Sequence, residues 1–361
     1  MTSRERTCTV LSGGIPDRVP VCLPSFLHAA RLAGLSAGDY CRSGARMAEA
    51  QLAYWEEFRH DVIDIENGVA AMAEAVGCTV EYSDTAAPWV VRPAIGNLDE
   101  IERLPAVDPL RSPALAELVK ATRIVAGKVG DSICVRGQSD QGPFSLAAQI
   151  VGAETFMLAL LDCEQTAKVH RLLEYAAHQI AGLARAQMAA GAHFTLIGDS
   201  IAGPDVCSPK LYRIFAQPSE KSLIDASRRE GNEIGIHICG NASSIVGDMT
   251  DTGTLYIELD YKIDRIRVRA ATGGRTTIFG TLDPHGLLVQ GTPEEVMAVA
   301  REDIRLLGER GRFVLSPGCT MAPETPVPNV HAMLEAARQY GQYSRVGQAL
   351  SPANGPPNDE G

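Results

Sequence analysis

Glu233-Ile234-Gly235-Ile236-His237-Ile238-Cys239-Gly240 reads as a buried strand running out into a loop. Its apolar run is what a strand of a parallel sheet, covered on both faces, requires. Residues two apart on a strand share a face, so the His237 imidazole and the Cys239 thiol leave it side by side. At the carboxyl end of a barrel strand that pair overlooks the mouth, where barrel enzymes assemble their sites. Ser316-Pro317-Gly318-Cys319 follows the last predicted strand in an equivalent position, so one imidazole and two thiols converge from different strands. Three such donors with a fourth position open are the pattern of a catalytic zinc site, not of a closed structural one. The competing reading is that buried cysteine is a common core residue and that a strand-end histidine often satisfies backbone groups.

Outward from this stretch, further strands are predicted at 19–23, 61–65, 132–135, 194–198, 254–259, 276–280 and 312–316, with the opening strand at 233–238. Helical segments lie between them at 44–59, 113–128, 163–190, 209–229 and 293–309. Thr292-Pro293-Glu294-Glu295 supplies a cap, a proline at the first helical position and early acids, and Ser208-Pro209 does the same. Eight strands separated by helices predict an α/β chain with a single (β/α)8 TIM barrel, a doubly wound open sheet being the alternative. The expected catalytic domain is 1–343, followed by a disordered tail at 344–361 that holds Pro352, Pro356 and Pro357.

The chain has 361 residues and a net charge of −11, which excludes a simple nucleic-acid binder. Aromatics reach only 5%, so the core must be mostly aliphatic. Nine cysteines, an odd number with no CxxC, form no disulfide framework and point to a reducing cytoplasm. Positions 1–14 lack a signal-peptide core, and no run approaches the roughly 18 apolar residues of a membrane span. Cys78, Cys134 and Cys163 have apolar neighbours and read as small core residues, while Cys22 could line the mouth. Gly273-Gly274 lacks the context of a nucleotide site.

Several stretches resemble the uroporphyrinogen decarboxylase superfamily, specifically its zinc-dependent, corrinoid-linked methyltransferase branch, such as the methylcobamide:coenzyme M methyltransferases. They are His237-Ile238-Cys239-Gly240-Asn241, Gly280-Thr281-Leu282-Asp283-Pro284, Gly291-Thr292-Pro293-Glu294-Glu295-Val296, and Ser316-Pro317-Gly318-Cys319 through Pro323-Glu324-Thr325-Pro326. Pro16-Asp17-Arg18-Val19-Pro20-Val21 and Gly142-Pro143-Phe144-Ser145-Leu146-Ala147 extend the likeness over nearly the whole chain, as does Asp199. The resemblance implies a (β/α)8 barrel with zinc on His237, Cys239 and Cys319. The decarboxylase's own proline-valine-tryptophan and arginine-rich pattern is replaced by Pro20-Val21-Cys22-Leu23-Pro24-Ser25-Phe26, which argues against a tetrapyrrole substrate.

Zinc with two thiolates and a neutral imidazole sums to zero charge, so a bound thiol would stay nucleophilic as a thiolate and a methoxy oxygen would be polarised. The expected function is therefore a zinc-dependent methyltransferase, moving a methyl group between a corrinoid and a small thiol, methoxy or methylamine substrate. Alternatives are a decarboxylase of a small acid and a non-catalytic corrinoid-binding protein. Water or a carboxylate is the expected fourth ligand, Glu258 being the first candidate, with Asp260 on the same strand face; the competing reading of Glu258 is a carboxylate that supports the ligands or a rim salt bridge. Asp199, Asp140, Gln138 and Asp260 are expected at the rim as substrate-binding groups, and His285 is a weaker rim candidate. No DxHxxG pattern is present, so the corrinoid (cobalamin) would come free or on a separate partner protein. No nucleic-acid or membrane partner is expected, and oligomerisation is left open.

Overall fold

The computed structural model describes residues 1–343; the predicted tail at 344–361 lies outside the described residues. The strands in chain order are β1 (Cys22–Leu23), β2 (Val62–Ile65), β3 (Thr79–Glu81), β4 (Trp89–Arg92), β5 (Cys134–Gln141), β6 (Phe194–Gly198), β7 (Ile234–Ile238), β8 (Tyr256–Leu259), β9 (Thr277–Leu282) and β10 (Phe313–Pro317). All but β3 and β4 form one parallel sheet in the order β1-β2-β5-β6-β7-β8-β9-β10. Val21 bridges in parallel to Leu315, whose N–H donates to the Pro20 carbonyl at 2.9 Å, and this closes the sheet into a barrel.

Each of the eight predicted strands has its counterpart in the barrel, and the differences lie at the ends. The first shrinks to two residues because Pro20 and Pro24 flank it and have no N–H to give to a ladder. The antiparallel hairpin of β3 and β4 was not predicted; its residues are mostly exposed and carry no apolar alternation. Helix Pro293–Leu307 starts with a capping box between Thr292 and Glu295. The segment predicted at 209–229 widens into a π turn at Tyr212–Ala216, just before Pro218, which cannot donate to a helical carbonyl.

The interior is layered. At the amino-terminal end, helix Ser3–Leu11 closes the barrel, with Thr277 Oγ1 donating to the Val10 carbonyl and Arg4 N–H to the Ser132 carbonyl. Val10 and Leu11 meet Val62, Cys134, Phe194 and Tyr256 in an apolar floor that includes Cys22. Cys22 therefore does not line the mouth. Its register with Val62 sets it at the opposite end of the barrel. Two residues further along three of these strands, Asp64, Arg136 and Glu258 form a buried charged layer. Cys163 is exposed rather than in the core, because its apolar neighbours Leu158 and Leu161 are themselves exposed.

Candidate active site and metal centre

The side chains of His237, Cys239 and Cys319 meet at the carboxyl ends of β7 and β10, their donor atoms all within 4.8 Å of one another. Nε2 of His237 is 2.8 Å from Cys239 Sγ, which is 3.6 Å from Cys319 Sγ. Zinc bonds of about 2.3 Å to sulfur and about 2.0 Å to nitrogen, at tetrahedral angles, separate two sulfurs by about 3.8 Å and sulfur from nitrogen by about 3.5 Å. The thiol pair matches that spacing, and the imidazole fits after opening by about 0.7 Å.

The surroundings prepare these donors. Nδ1 of His237 lies 3.2 Å from the Glu258 carbonyl oxygen and 3.5 Å from Glu258 Oε1. Both are acceptors, so Nδ1 holds a hydrogen and Nε2 is the nitrogen aimed at the thiols. Cys239 is lowered to about 3 by its hydrogen bond with Cys319, against its burial, and by the charge on His237. Burial opposes charge on His237, yet the neighbouring Cys239 raises it to about 9. The cluster thus favours a thiolate with a cation held against it, and a proton and a metal would compete for Nε2. Cys319 is pushed up because Cys239 takes the negative charge of the pair.

A cavity of about 470 Å³ opens beside the trio. Phe26, Leu27, Val69, Ile201, Met321 and Pro323 supply an apolar belt from the loops after β1, β2, β6 and β10. The charged layer forms its base: Arg136 Nε donates to Asp64 Oδ1 at 2.7 Å and its Nη1 to Glu258 Oε2, while Nη2 has no partner. Glu66 accepts from Thr320 Oγ1 at 3.4 Å and is pushed up to about 8 by burial and by the charge of Asp64.

Of the residues expected at the site, Gln138, Glu258 and His285 line this cavity, and the Gln138 Oε1 is buried with no partner. Asp199, Asp140 and Asp260 do not line it. Asp199 accepts from the N–H groups of Phe144 at 3.2 Å and Ser145 at 2.6 Å, which cap helix Pro143–Val151. Asp140, at φ 69°, accepts from the N–H groups of Met72 at 2.9 Å and Gln141 at 2.7 Å. Burial raises both of these carboxyls to about 6. Asp260 accepts from the N–H of Gly240 at 2.7 Å and of Tyr261 at 2.6 Å, fixing the turn that follows Cys239. Sequence reasoning missed Asp64, Glu66 and Arg136, although the alternation Asp64-Ile65-Glu66 sets two acids on one strand face.

The methylcobamide:CoM methyltransferase MtbA of Methanosarcina mazei is 29% identical over 348 residues, covering 94% of this chain and 98% of that protein. The methylcobamide:CoM methyltransferase MtaA of Methanosarcina barkeri is 27% identical over 350 residues, covering 94% and 98%. A solved structure of a methyltransferase from Methanosarcina mazei superimposes with a TM-score of 0.86 at 25% identity, covering 94% of this chain and 99% of that one. The family model for uroporphyrinogen decarboxylase (URO-D) matches residues 2–340, and the chain belongs to that family.

Proposed function

We propose that the chain is a zinc-dependent methyltransferase moving a methyl group between a corrinoid and a small thiol, methoxy or methylamine substrate. The observation that carries this reading is the convergence of His237, Cys239 and Cys319 beside a cavity at the carboxyl end of the barrel. Bound by two thiolates and an imidazole, zinc would supply a Lewis acid that keeps a thiol as thiolate or polarises a methoxy oxygen. The fourth position is left to water, to the substrate, or to Glu258, the carboxylate nearest the imidazole. Glu258 also orients His237 through Nδ1, and Asp260 holds the turn after Cys239 through the Gly240 N–H. The unpartnered Oε1 of Gln138 is a hydrogen-bond acceptor for the substrate. A cavity of about 470 Å³ suits a small molecule, so the corrinoid meets it from the mouth, presented free or by a separate corrinoid protein. Nine unpaired cysteines suit a reducing cytoplasm, and no helix among the described residues is long and apolar enough to cross a membrane.

Metal analysis of the purified protein, with loss of methyl-cobalamin absorbance on adding thiols, tests this reading. The expected result is about one zinc per chain, lost together with activity in Cys239→Ser and in Cys319→Ser. Metal-free wild type with unchanged activity in both variants would overturn it.

A further inference from the structure

We propose that Cys8 and Cys134 are a peroxide-responsive thiol pair that closes into a disulfide and staples the amino-terminal helix Ser3–Leu11 to β5. Sγ of Cys8 lies 3.8 Å from Sγ of Cys134, across 126 positions of the chain. A disulfide holds its sulfurs about 2.05 Å apart, so the two must close by about 1.8 Å. Cys8 is exposed and has room to turn, while Cys134 is fully buried in the apolar floor of the barrel. The helix is anchored on both sides of Cys8. Arg4 N–H donates to the Ser132 carbonyl at 2.9 Å, Arg6 Nη1 to Asp61 Oδ1 at 2.6 Å, and Thr277 Oγ1 to the Val10 carbonyl at 3.2 Å. The two thiols are therefore held as neighbours and need no chance encounter.

Their surroundings divide the roles. The hydrogen bond with Cys134 lowers Cys8 to about 6, against burial and with help from the Arg4 guanidinium, so at neutral pH Cys8 carries the negative charge. Cys134 is pushed up because its partner holds that charge and because it is buried. An accessible thiolate beside a second thiol is the arrangement that oxidises first and is then resolved. The Cys8 thiolate attacks one oxygen of hydrogen peroxide: an S–O bond forms, the O–O bond breaks and hydroxide leaves. The Cys134 sulfur then attacks the Cys8 sulfur: the S–S bond forms, the S–O bond breaks, and the oxygen leaves as water with the Cys134 proton. The two sulfurs together lose two electrons, and the peroxide gains them. Cys239 and Cys319, whose sulfurs are 3.6 Å apart, lie at the opposite end of the barrel. The amino-terminal end of such a barrel serves stability, so the effect of the staple is on unfolding.

The test treats zinc-loaded protein with a few equivalents of hydrogen peroxide, caps the remaining thiols with iodoacetamide, and reads the digest by mass spectrometry. The expected product is a peptide pair joined through Cys8 and Cys134 and released by dithiothreitol. The melting temperature should rise by roughly 3–5 °C, because a cross-link over so long a loop restricts the unfolded chain. Cys8→Ser should abolish both the linked peptide and the rise. In Cys134→Ser or, should that fail to fold, Cys134→Ala, Cys8 should stop at the sulfenic acid and be captured by dimedone. Cys8 recovered as a free thiol after peroxide, or oxidised while Cys134 is still capped, would overturn the proposal. An equal rise in melting temperature in Cys8→Ser would do the same.

Discussion

Replacing Arg136 by methionine removes the one cation of the buried layer and keeps most of its volume. The guanidinium is fully buried, 2.7 Å from Asp64, bonded to Glu258, and its Cζ is 5.9 Å from the centre of the Phe279 ring. Removing one member of a buried ion pair costs about 3–5 kcal/mol, because the abandoned charge stays in a medium that cannot solvate it. Here the abandoned groups are carboxyls, which can escape that cost by taking up protons. Even with Arg136 in place, burial raises Asp64 above its ordinary range and Glu66 to about 8. Without the guanidinium both rise further. A carboxyl raised in the folded state binds more protons there than in the unfolded chain, whose carboxyls titrate near 4. Stability lost to such groups is therefore regained as pH falls from 8 toward 5, by about 1.4 kcal/mol for each unit by which a folded value exceeds the unfolded one.

Urea unfolding followed by far-ultraviolet circular dichroism at pH 8 and pH 5.5 measures this. The variant should be less stable than wild type by about 3–5 kcal/mol at pH 8, and the gap should shrink by about 2 kcal/mol or more at pH 5.5. Comparison at each pH cancels titrations that both proteins share. A gap that stays constant or widens on acidification would show that Arg136 does not hold down the charge of the buried carboxyls, and the reasoning would fail.

Two further tests address the frame around the site. Burial lowers His60 to about 4, and neither ring nitrogen has a partner. The unfolded chain then binds the extra proton between pH 6.5 and 4, so wild type loses up to about 3 kcal/mol across that window. His60→Leu should remove that loss and be no less stable at pH 7, as thermal melts at pH 7 and 4.5 would reveal; an unchanged acid slope counts against it. At Gly235 a Cβ would be driven into the ring of Tyr256 in the apolar floor, so Gly235→Ala should cost about 1–3 kcal/mol. Adding Tyr256→Leu should recover part of that loss, and a single variant that melts with wild type would refute the clash.

What the sequence made legible follows from how far apart the informative residues lie. Isoleucines 234, 236 and 238 mark a buried strand locally, and the i, i+2 step from His237 to Cys239 places two donors without knowledge of any other strand. The charged layer is different in kind. Asp64, Arg136 and Glu258 each look like an exception on its own strand; the register of β2 with β5 sets the first two side by side, and the closed barrel brings Glu258 of β8 to Arg136 across its interior. Helix Ser3–Leu11 was hidden because Arg4, Glu5 and Arg6 dominate its start, although Val10 and Leu11 are the side chains it buries in the barrel floor. Asp140 and Asp199 bond backbone N–H groups and stand outside the cavity lining for a related reason. An aspartate after a barrel strand can face a ligand or cap a neighbouring helix, and the helix start at Gly142-Pro143, which Asp199 serves, was a local signal for the second.

The placement of the three donors depends on a strand that supplies none of them. Through its carbonyl and its carboxylate, Glu258 of β8 faces Nδ1 of His237, which turns Nε2 toward the thiols. Two residues on, Asp260 takes the N–H of Gly240 and so holds the loop that carries Cys239. The backbone of the same residue lies against Gly318, where an added Cβ would come within 2.8 Å of the Asp260 Cα, and this close approach brings in Cys319 from β10. Residues 258 to 260 thus touch the imidazole, the turn after the first thiol and the residue before the second. Glu258 in turn is anchored by Arg136, so the alignment of the candidate metal ligands and the charge at the base of the cavity are coupled through one side chain. A barrel in which that carboxylate were replaced by an apolar residue would lose the orientation of His237 and the partner of Arg136 in a single step.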